Sequence, residues 1–125
     1  MNKKGWILTV CGLSLACWFA YMQLEPSELD ALHVFIVIKK TEDLSDKSMP
    51  NIFFSYKRFC DDLEKIDKSN CPNEFCSCYE NYINAIRVYG DKGDNACLFY
   101  LIKAEKALIN SAKRYGQKFK GYWDK

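Results

Sequence analysis

The sequence predicts an all-α protein: a small antiparallel bundle of three to four helices, stapled by disulfides, after an N-terminal hydrophobic export or anchor helix. Three observations lead to this fold class. Apolar residues recur at intervals of three and four in several segments, which is the period of a helix with one buried face. Short turns rich in glycine, proline and asparagine separate these segments. Five of the seven cysteines lie after the N-terminal apolar stretch, and a domain of this size gains from covalent staples.

Residues 1–24 are predicted to export the chain. Two lysines precede residues 5–24, a stretch of twenty residues without a charge. At ~1.5 Å per residue this stretch is long enough for a ~30 Å hydrocarbon core, and the lysines favour a cytoplasmic N-terminus. Three routes stay open: a cleaved signal peptide, a retained anchor in the inner membrane, and lipidation at Cys17. In each of them the rest of the chain reaches the periplasm or cell envelope.

Residues 25–48 are predicted to form a first helix and a polar loop. Residues 34–38 are largely β-branched and could form a strand, but Ser27 and Asp30 resemble a capping box, which favours a helix. Residues 39–48 are polar and are predicted to be the loop. The predicted core face of the helix comprises Leu29, Leu32, Phe35 and Ile36.

Residues 49–116 are predicted to form the disulfide-stapled core of the bundle. The second helix is predicted to begin near Pro50, and the third to end at Gly90. The fourth is predicted to begin with Asp94 or Asn95 as its cap. The predicted apolar face of the second helix comprises Ile52, Tyr56, Phe59, Cys60, Leu63 and Ile66. That of the third comprises Phe75, Cys78, Tyr79, Tyr82, Ile83 and Ile86. That of the fourth comprises Cys97, Leu98, Leu101, Ala104, Leu108, Ala112 and Tyr115.

The disulfide candidates are Cys60, Cys71, Cys76, Cys78 and Cys97. In the predicted bundle Cys60 and Cys97 lie at similar levels of neighbouring helices and form the first expected pair, whose bridge could contribute ~2–4 kcal/mol. Cys71 lies in a turn and can reach Cys76 or Cys78. The remaining thiol is a buried bystander, a link to another chain or to the N-terminal segment, or part of exchange chemistry through Cys76 and Cys78.

No catalytic residue, cofactor or metal site is predicted. His33 is the single histidine and has apolar neighbours, and the cysteine spacing within residues 71–78 is unlike that of common zinc sites. Asp61, Asp62 and Glu64 lie close in sequence, but adjacent side chains diverge around a helix and do not form an acid–base pair. These three acids are predicted to form a solvated face and are candidates for binding a partner.

Charge is distributed unevenly after the apolar stretch. Residues 25–94 carry a net charge of −5, and residues 103–125 carry +5. The tail, residues 117–125, alternates basic and aromatic residues, which allows four interpretations. It could bind single-stranded nucleic acid, which export disfavours, lie on an anionic membrane, contact a protein, or pack back onto the acidic body. The partner-binding candidates in it are Lys118, Phe119, Tyr122 and Trp123.

Residues 50–115 resemble the envelope immunity proteins of type VI secretion amidase effectors, the Tai-like group. The resemblance rests on Cys60, on the C-x3-Y-I-x-A-I spacing of residues 78–86, and on Cys97 before a last amphipathic helix. It implies an exported helical protein without catalytic activity that occludes the active site of a toxin. Cys71 and Cys76 are additional to the pattern of that group.

A second, fainter resemblance is to the periplasmic antiholins of T-even phages. It rests on the predicted signal-anchor start, the small helical domain and a short-range cysteine pair like Cys71 and Cys76. It implies a membrane-anchored subunit that controls lysis.

We therefore expect an exported binding protein without enzymatic activity, first of all an immunity or inhibitor protein whose partner is a toxin, an enzyme or a membrane complex. The alternative is a membrane-anchored structural or lysis-control subunit, and the third hypothesis is a thiol–disulfide protein. No nucleic-acid partner is expected, and assembly into a homo-oligomer stays open.

Overall fold

The computed structural model describes residues 26–123 of the chain. Its helices are α1 (Pro26–Ser48), α2 (Tyr56–Lys65), α3 (Asn73–Lys92) and α4 (Asn95–Arg114). No strand occurs within residues 26–123, so this part confirms the all-α class and the small helical bundle. The predicted export segment, the lipidation candidate Cys17 and the side chain of Ser27 lie outside the described residues.

Helix α1 is longer than the sequence predicts, because residues 39–48 are helical instead of forming a polar loop. Thr41 and Ser45 in this stretch are buried. The Thr41 hydroxyl donates to the Val37 carbonyl at 2.8 Å and is hydrogen-bonded to the Tyr79 hydroxyl at 2.5 Å. The hydrogen bond between Thr41 and Tyr79 and the packing of Leu44 against the core attach this half of α1 to the bundle. A single apolar residue does not produce a helical apolar spacing.

The side of α1 that faces the core also differs from the predicted one. Leu32, Phe35 and Ile36 were expected in the core and are 50%, 42% and 39% exposed. The buried apolar residues of α1 are Val34, Val37 and Ile38. The first half of α1 is apolar around most of its circumference, so spacing alone allowed two faces. The face that packs is the one that continues into Thr41 and Ser45.

Helix α2 begins later than predicted, because residues 49–55 form turns. Ser55 is its N-cap, and the Ser55 side chain accepts the Arg58 N–H at 3.4 Å. Ile52, which was predicted on the apolar face of this helix, lies in the turn and points into solvent.

Helices α3 and α4 are antiparallel neighbours joined by Gly93 and Asp94. Gly93 ends α3 with a φ of 63°, and the Asp94 side chain caps α4 by accepting the Cys97 N–H at 2.7 Å. Of the two residues predicted as the cap, Asp94 and Asn95, the structure has Asp94 as the N-cap. The predicted end at Gly90 is wrong, because α3 continues past it. Gly90 instead makes room for Tyr56, whose Cβ would lie 2.5 Å from a Cβ at that position.

The core lies between α3 and α4 and is covered by α1, α2 and the C-terminal segment. Its buried residues outside α1 are Phe59, Cys60, Leu63, Cys71, Phe75, Tyr79, Tyr82, Ile83, Ala85, Ile86, Leu101, Ala104, Leu108, Ala112 and Phe119. Most of the apolar faces predicted for α2, α3 and α4 are therefore in the core. Within residues 26–123, no helix has the length and apolar character needed to cross a membrane.

Candidate binding surface

Two apolar side chains project into solvent from the turn between α1 and α2. Ile52 is 90% exposed and its neighbour Phe53 is 84% exposed. We call these two residues the apolar tip. Single exposed apolar residues are common, whereas contiguous ones are typical of interaction sites.

Hydrogen bonds to Asn51 hold the backbone of the apolar tip. The Asn51 side-chain oxygen accepts the Phe53 N–H at 3.0 Å, and its carbonyl accepts the Phe54 N–H at 3.0 Å. The Asn51 N–H donates to the Ser48 carbonyl at 3.2 Å. Asparagine stabilises turns in this way, because its side chain can replace a backbone acceptor. The tip is thus presented in a defined conformation although its side chains contact solvent.

Phe54 attaches the apolar tip to the bundle. Its ring centroid lies 4.9 Å from that of Tyr56 in an edge-on arrangement and 5.6 Å from that of Phe59. Both separations lie in the range at which aromatic rings attract one another. Phe59 is buried, so the turn is anchored in the core one residue after the tip.

A cavity of about 350 Å³ opens beside the tip, between the end of α1 and the start of α2. Its apolar wall comprises Leu44, Phe53, Phe54 and Phe59, and its polar lining comprises Lys47, Ser48, Asn51, Ser55, Arg58 and Asp62. The tip and this cavity form one continuous surface, because Phe53 belongs to both.

The free charges around the tip are basic. Lys47 and Arg58 line the cavity, and Lys57 follows at the start of α2. Among residues 26–123, none of these three side chains has an ion-pair partner. Two basic side chains and one acidic side chain, Asp62, therefore line the cavity beside the apolar tip, and a third basic residue follows at the start of α2.

The predicted acidic candidates are instead engaged within the bundle. Asp61 and Glu64 each bind the Arg87 guanidinium at 2.9 Å, which ties α2 to α3. The hydrogen bonds to Glu64 and Asp61 raise the pKa of Arg87. Asp62 lies 3.8 Å from Lys65 on the same helix. Asp61 and Glu64 keep about half of their side-chain surface in solvent, and the two carboxylates share the single positive charge of Arg87.

The C-terminal segment is held by a buried carboxyl group on α4. Glu105 is fully buried, and it accepts the Tyr82 hydroxyl at 3.0 Å. It also accepts the backbone N–H groups of Tyr122 at 3.0 Å and Trp123 at 3.1 Å. Gly121 allows this approach, because a Cβ there would lie 2.7 Å from a Glu105 oxygen. No pattern in the amino-acid sequence indicates this contact.

Aromatic contacts extend this attachment across the bundle. The Trp123 ring lies 6.0 Å from that of Tyr56 on α2 and 5.9 Å from that of Tyr89 on α3, and its Nε1–H donates to the Tyr82 hydroxyl at 3.2 Å. The Tyr122 hydroxyl reaches α1, at 3.3 Å from an Asp46 carboxyl oxygen. The segment therefore contacts all four helices.

In the structure, the aromatic residues of the tail pack back onto the body, which is one of the four interpretations that the sequence allowed. Phe119, a predicted partner-binding residue, is only 5% exposed and packs edge-on against Tyr82. Tyr122 and Trp123 are half-buried, and Lys118 is exposed. Phe119 is thus a core residue in this structure, because the Glu105 contacts bring the tail over the Tyr82 ring.

Cys71 and Cys76 converge on the carbonyl of Lys68. The Cys71 N–H donates to this carbonyl at 3.0 Å, and the Cys76 thiol lies 3.3 Å from it and 3.6 Å from the Cys71 carbonyl. The Lys68 ammonium donates to the Ile66 and Leu63 carbonyls at 2.9 and 3.2 Å at the end of α2. Burial raises the pKa of Cys71 to about 11 and also raises that of Cys76. A raised pKa lowers the thiolate fraction of both groups at neutral pH, and thiol–disulfide exchange is slower for such groups.

The five cysteines within residues 26–123 are free thiols, so the predicted disulfides are not formed in this structure. Cys60 is fully buried, and its thiol lies 3.6 Å from the Ile83 carbonyl. Burial raises the pKa of Cys60 to about 11. Cys97 lies half-buried in the first turn of α4, where a hydrogen bond with Asp94 raises its pKa. Cys78 is half-buried on α3.

The chain was compared with protein-family models, with curated proteins and with solved structures, and none of the three comparisons found a match. Within the described residues, no three histidine, cysteine, aspartate or glutamate side chains are grouped in a way that could hold a metal ion. His33 is half-buried on α1. The apolar tip and its basic surroundings are therefore the strongest candidate for a functional site in residues 26–123.

Sequence reasoning missed the apolar tip because Ile52 fits the helical spacing of α2. The signal that could have revealed it is the Pro50-Asn51 pair, which favours a turn. A turn at this point removes Ile52 and Phe53 from the helix and leaves them without a core to face.

Proposed function

We propose that this chain is an exported binding protein of the cell envelope, without enzymatic activity, that occludes a partner protein as immunity and inhibitor proteins do. The apolar tip is the observation that carries this proposal. Two large apolar side chains, almost fully exposed on a turn fixed by Asn51, are suited to insertion into a cleft of another protein. Residues that fill such a pocket supply most of the binding free energy of an interface.

The position of the tip favours a protein partner over a lipid bilayer. The tip follows the C-terminal end of α1, whereas the predicted export segment precedes the N-terminal end of this helix. The 23 residues of α1 correspond to a rise of roughly 35 Å. In a chain anchored by residues 5–24 with α1 directed away from the membrane, the tip lies at the far end of α1, where envelope proteins can reach it.

The charges around the tip indicate the kind of cleft that fits it. Lys47, Lys57 and Arg58 would be placed best opposite carboxylates, and the tip itself opposite apolar side chains. An apolar cleft with an acidic rim has these properties, and complementary charges also accelerate association. The active sites of hydrolytic enzymes that use carboxylates are one class of such clefts.

The resemblance to the Tai-like immunity proteins supports the same proposal, because it implies occlusion of a toxin's active site. The uncharged residues 5–24 support export. In the oxidising periplasm, we propose that the bundle is also stapled by disulfides, as its cysteine content suggests.

A lysis-control subunit of the antiholin type is the second candidate. It is favoured by the convergence of Cys71 and Cys76 on the Lys68 carbonyl, since a short-range cysteine pair is part of that resemblance. In this candidate residues 5–24 stay in the membrane, and the apolar tip contacts a membrane protein complex.

Oxidation is expected to join Cys71 and Cys76, because the Cys76 thiol already lies 3.6 Å from the Cys71 carbonyl. Incubation with oxidised glutathione should lower the mass of the peptide that contains both residues by two hydrogens, and should raise the free energy of unfolding by about 2 kcal/mol. Tandem mass spectrometry and urea unfolding measure the two effects. Cys76→Ser should abolish both, whereas Cys78→Ser should leave both; a bridge that uses Cys78 instead contradicts the prediction.

Capture from envelope extracts tests the proposed function. Wild-type protein should retain one protein in a 1:1 ratio. The double substitution Ile52→Gln and Phe53→Gln should weaken this binding by about a thousandfold, since pocket-filling residues contribute ~2 kcal/mol or more each and 1.4 kcal/mol is tenfold. Phe99→Gln is the matched control, because Phe99 is also strongly exposed but lies on α4. Equal recovery by wild type and the tip variant, or recovery of no stoichiometric protein, contradicts the proposal.

A further inference from the structure

The cavity between the end of α1 and the start of α2 has an apolar wall that the bundle supports. The wall comprises Leu44, Phe53, Phe54 and Phe59. Phe59 belongs to the buried core, and Leu44 and Phe54 pack against that core. Binding sites for small groups have such a lining, largely apolar with a few polar side chains that orient the ligand.

The charges that line this cavity favour an anion over a cation. Lys47 and Arg58 are exposed, and neither has an ion-pair partner among residues 26–123. The one acidic side chain in the lining, Asp62, lies 3.8 Å from the Lys65 ammonium on the same helix. The two basic side chains of the lining therefore outweigh its single carboxylate, and an anion placed here is attracted by both.

The volume of the cavity restricts the ligand to a small group. At about 30 Å³ for each water-sized atom, the cavity holds roughly a dozen non-hydrogen atoms. The bound group must combine an apolar part and a negative charge within this volume. A free phosphate lacks the apolar part, and a membrane lipid is several times too large.

We infer that this cavity binds the C-terminal residue of a polypeptide, where that residue is large and apolar. The side chain of the bound residue fills the apolar wall, and its α-carboxylate is attracted by Lys47 and Arg58. An internal aspartate or glutamate has a carboxylate but leaves the wall unfilled. A free apolar amino acid adds an ammonium group, which the two basic side chains repel. The inference goes beyond the proposed function, because here the chain receives a group of another protein instead of inserting its own.

Hydrogen-bond donors in the lining suit the peptide group that precedes such a residue. The Asn51 side-chain oxygen accepts the Phe53 N–H, which leaves its NH₂ group to donate. Ser48 supplies a hydroxyl in the same lining. Capture of a C-terminal carboxylate is a recurring mode of peptide recognition. A polypeptide end therefore uses more of this lining than a free apolar acid does.

Amide NMR spectra of the full chain in mild detergent, titrated with the peptide Gly-Ser-Gly-Ser-Phe, test the inference. The dissociation constant should be about 1 mM, as expected for a bound group of this size, and the signals of Ser48 and Asn51 should shift. The same peptide with a C-terminal amide should bind about tenfold more weakly, because it lacks the carboxylate. Gly-Ser-Gly-Ser-Ser lacks the apolar side chain and should cause no shift.

Substitutions in the lining should change the affinity in opposite directions. K47Q/R58Q should weaken peptide binding by about tenfold, and D62N should strengthen it by about threefold. K40Q/K57Q is the matched control, because it removes the same charge from exposed residues outside the lining and should keep the wild-type affinity. An unfolded variant cannot gain affinity, so D62N tests the inference even if K47Q/R58Q does not fold.

Equal binding of the free and amidated peptides overturns the inference, and so does wild-type affinity in K47Q/R58Q. Tighter binding of hydrocinnamate than of the peptide also overturns it, since the cavity then serves free apolar acids. Ile52 belongs to the apolar tip but not to the cavity lining, so I52Q should weaken partner capture and leave peptide binding unchanged. Peptide binding without capture of a partner contradicts the proposed function alone, whereas partner capture without peptide binding contradicts this inference alone.

Discussion

Replacement of Glu105 by alanine is expected to lower the free energy of unfolding by about 3–5 kcal/mol. The substitution leaves three donors without an acceptor in a buried site: the Tyr82 hydroxyl and the N–H groups of Tyr122 and Trp123. It also releases the C-terminal segment, whose aromatic side chains cover α2 and α3. Urea unfolding followed by circular dichroism measures the change.

A second substitution and a control accompany this measurement. Glu105→Gln keeps one carbonyl oxygen and should cost about 1–2 kcal/mol, so the prediction can be checked even if the alanine variant does not fold. Lys103→Ala alters an exposed residue of the same helix and should change stability by less than about 0.5 kcal/mol. An alanine variant at Glu105 as stable as the Lys103 variant contradicts the role assigned to the carboxyl group.

Phe119→Ala is expected to lower the free energy of unfolding by about 3 kcal/mol, because it opens a cavity beside Tyr82 in the core. Partner contact by Phe119 was one of the four interpretations that the sequence allowed, and in that case the substitution would leave stability unchanged and weaken partner binding. Urea unfolding of the isolated protein therefore distinguishes the two roles.

Lys118→Ala is the matched control for Phe119. Lys118 is the preceding residue of the same segment and is exposed, so its replacement should leave the unfolding midpoint within error of wild type. A Phe119 variant with wild-type stability means that the tail is not packed as described, and the partner-contact interpretation would then regain support.

The helical class and most of the core of α2, α3 and α4 could be predicted from the sequence, because those helices are apolar on one side only. Asp94 could be identified as a cap because its side chain acts locally, on the N–H three residues later. The orientation of α1 could not be predicted, because Leu32 and Val34 lie on different apolar faces and only tertiary packing selects one.

Less of the candidate binding surface than of the helical core could be predicted from the sequence. Ile52 follows the spacing of α2, and its exposure depends on the turn around Asn51. Glu105 is a single acidic residue in the predicted α4 segment. The groups that donate hydrogen bonds to it are the Tyr82 hydroxyl on α3 and the N–H groups of Tyr122 and Trp123, seventeen and eighteen positions later. Contacts between distant parts of the chain leave no local pattern, so the packed tail was one of four interpretations.

A photo-crosslinking measurement in living cells tests the proposed binding role of the apolar tip most directly. A benzophenone amino acid is placed at Phe53 in one variant and at Phe99 in another; both positions are strongly exposed, on the tip and on α4 respectively. If the tip binds a partner, the residue at position 53 should crosslink to one envelope protein and the residue at position 99 should not. Crosslinks to that protein from position 99 alone, or from neither position while the two proteins co-purify, would contradict the proposed role of the tip.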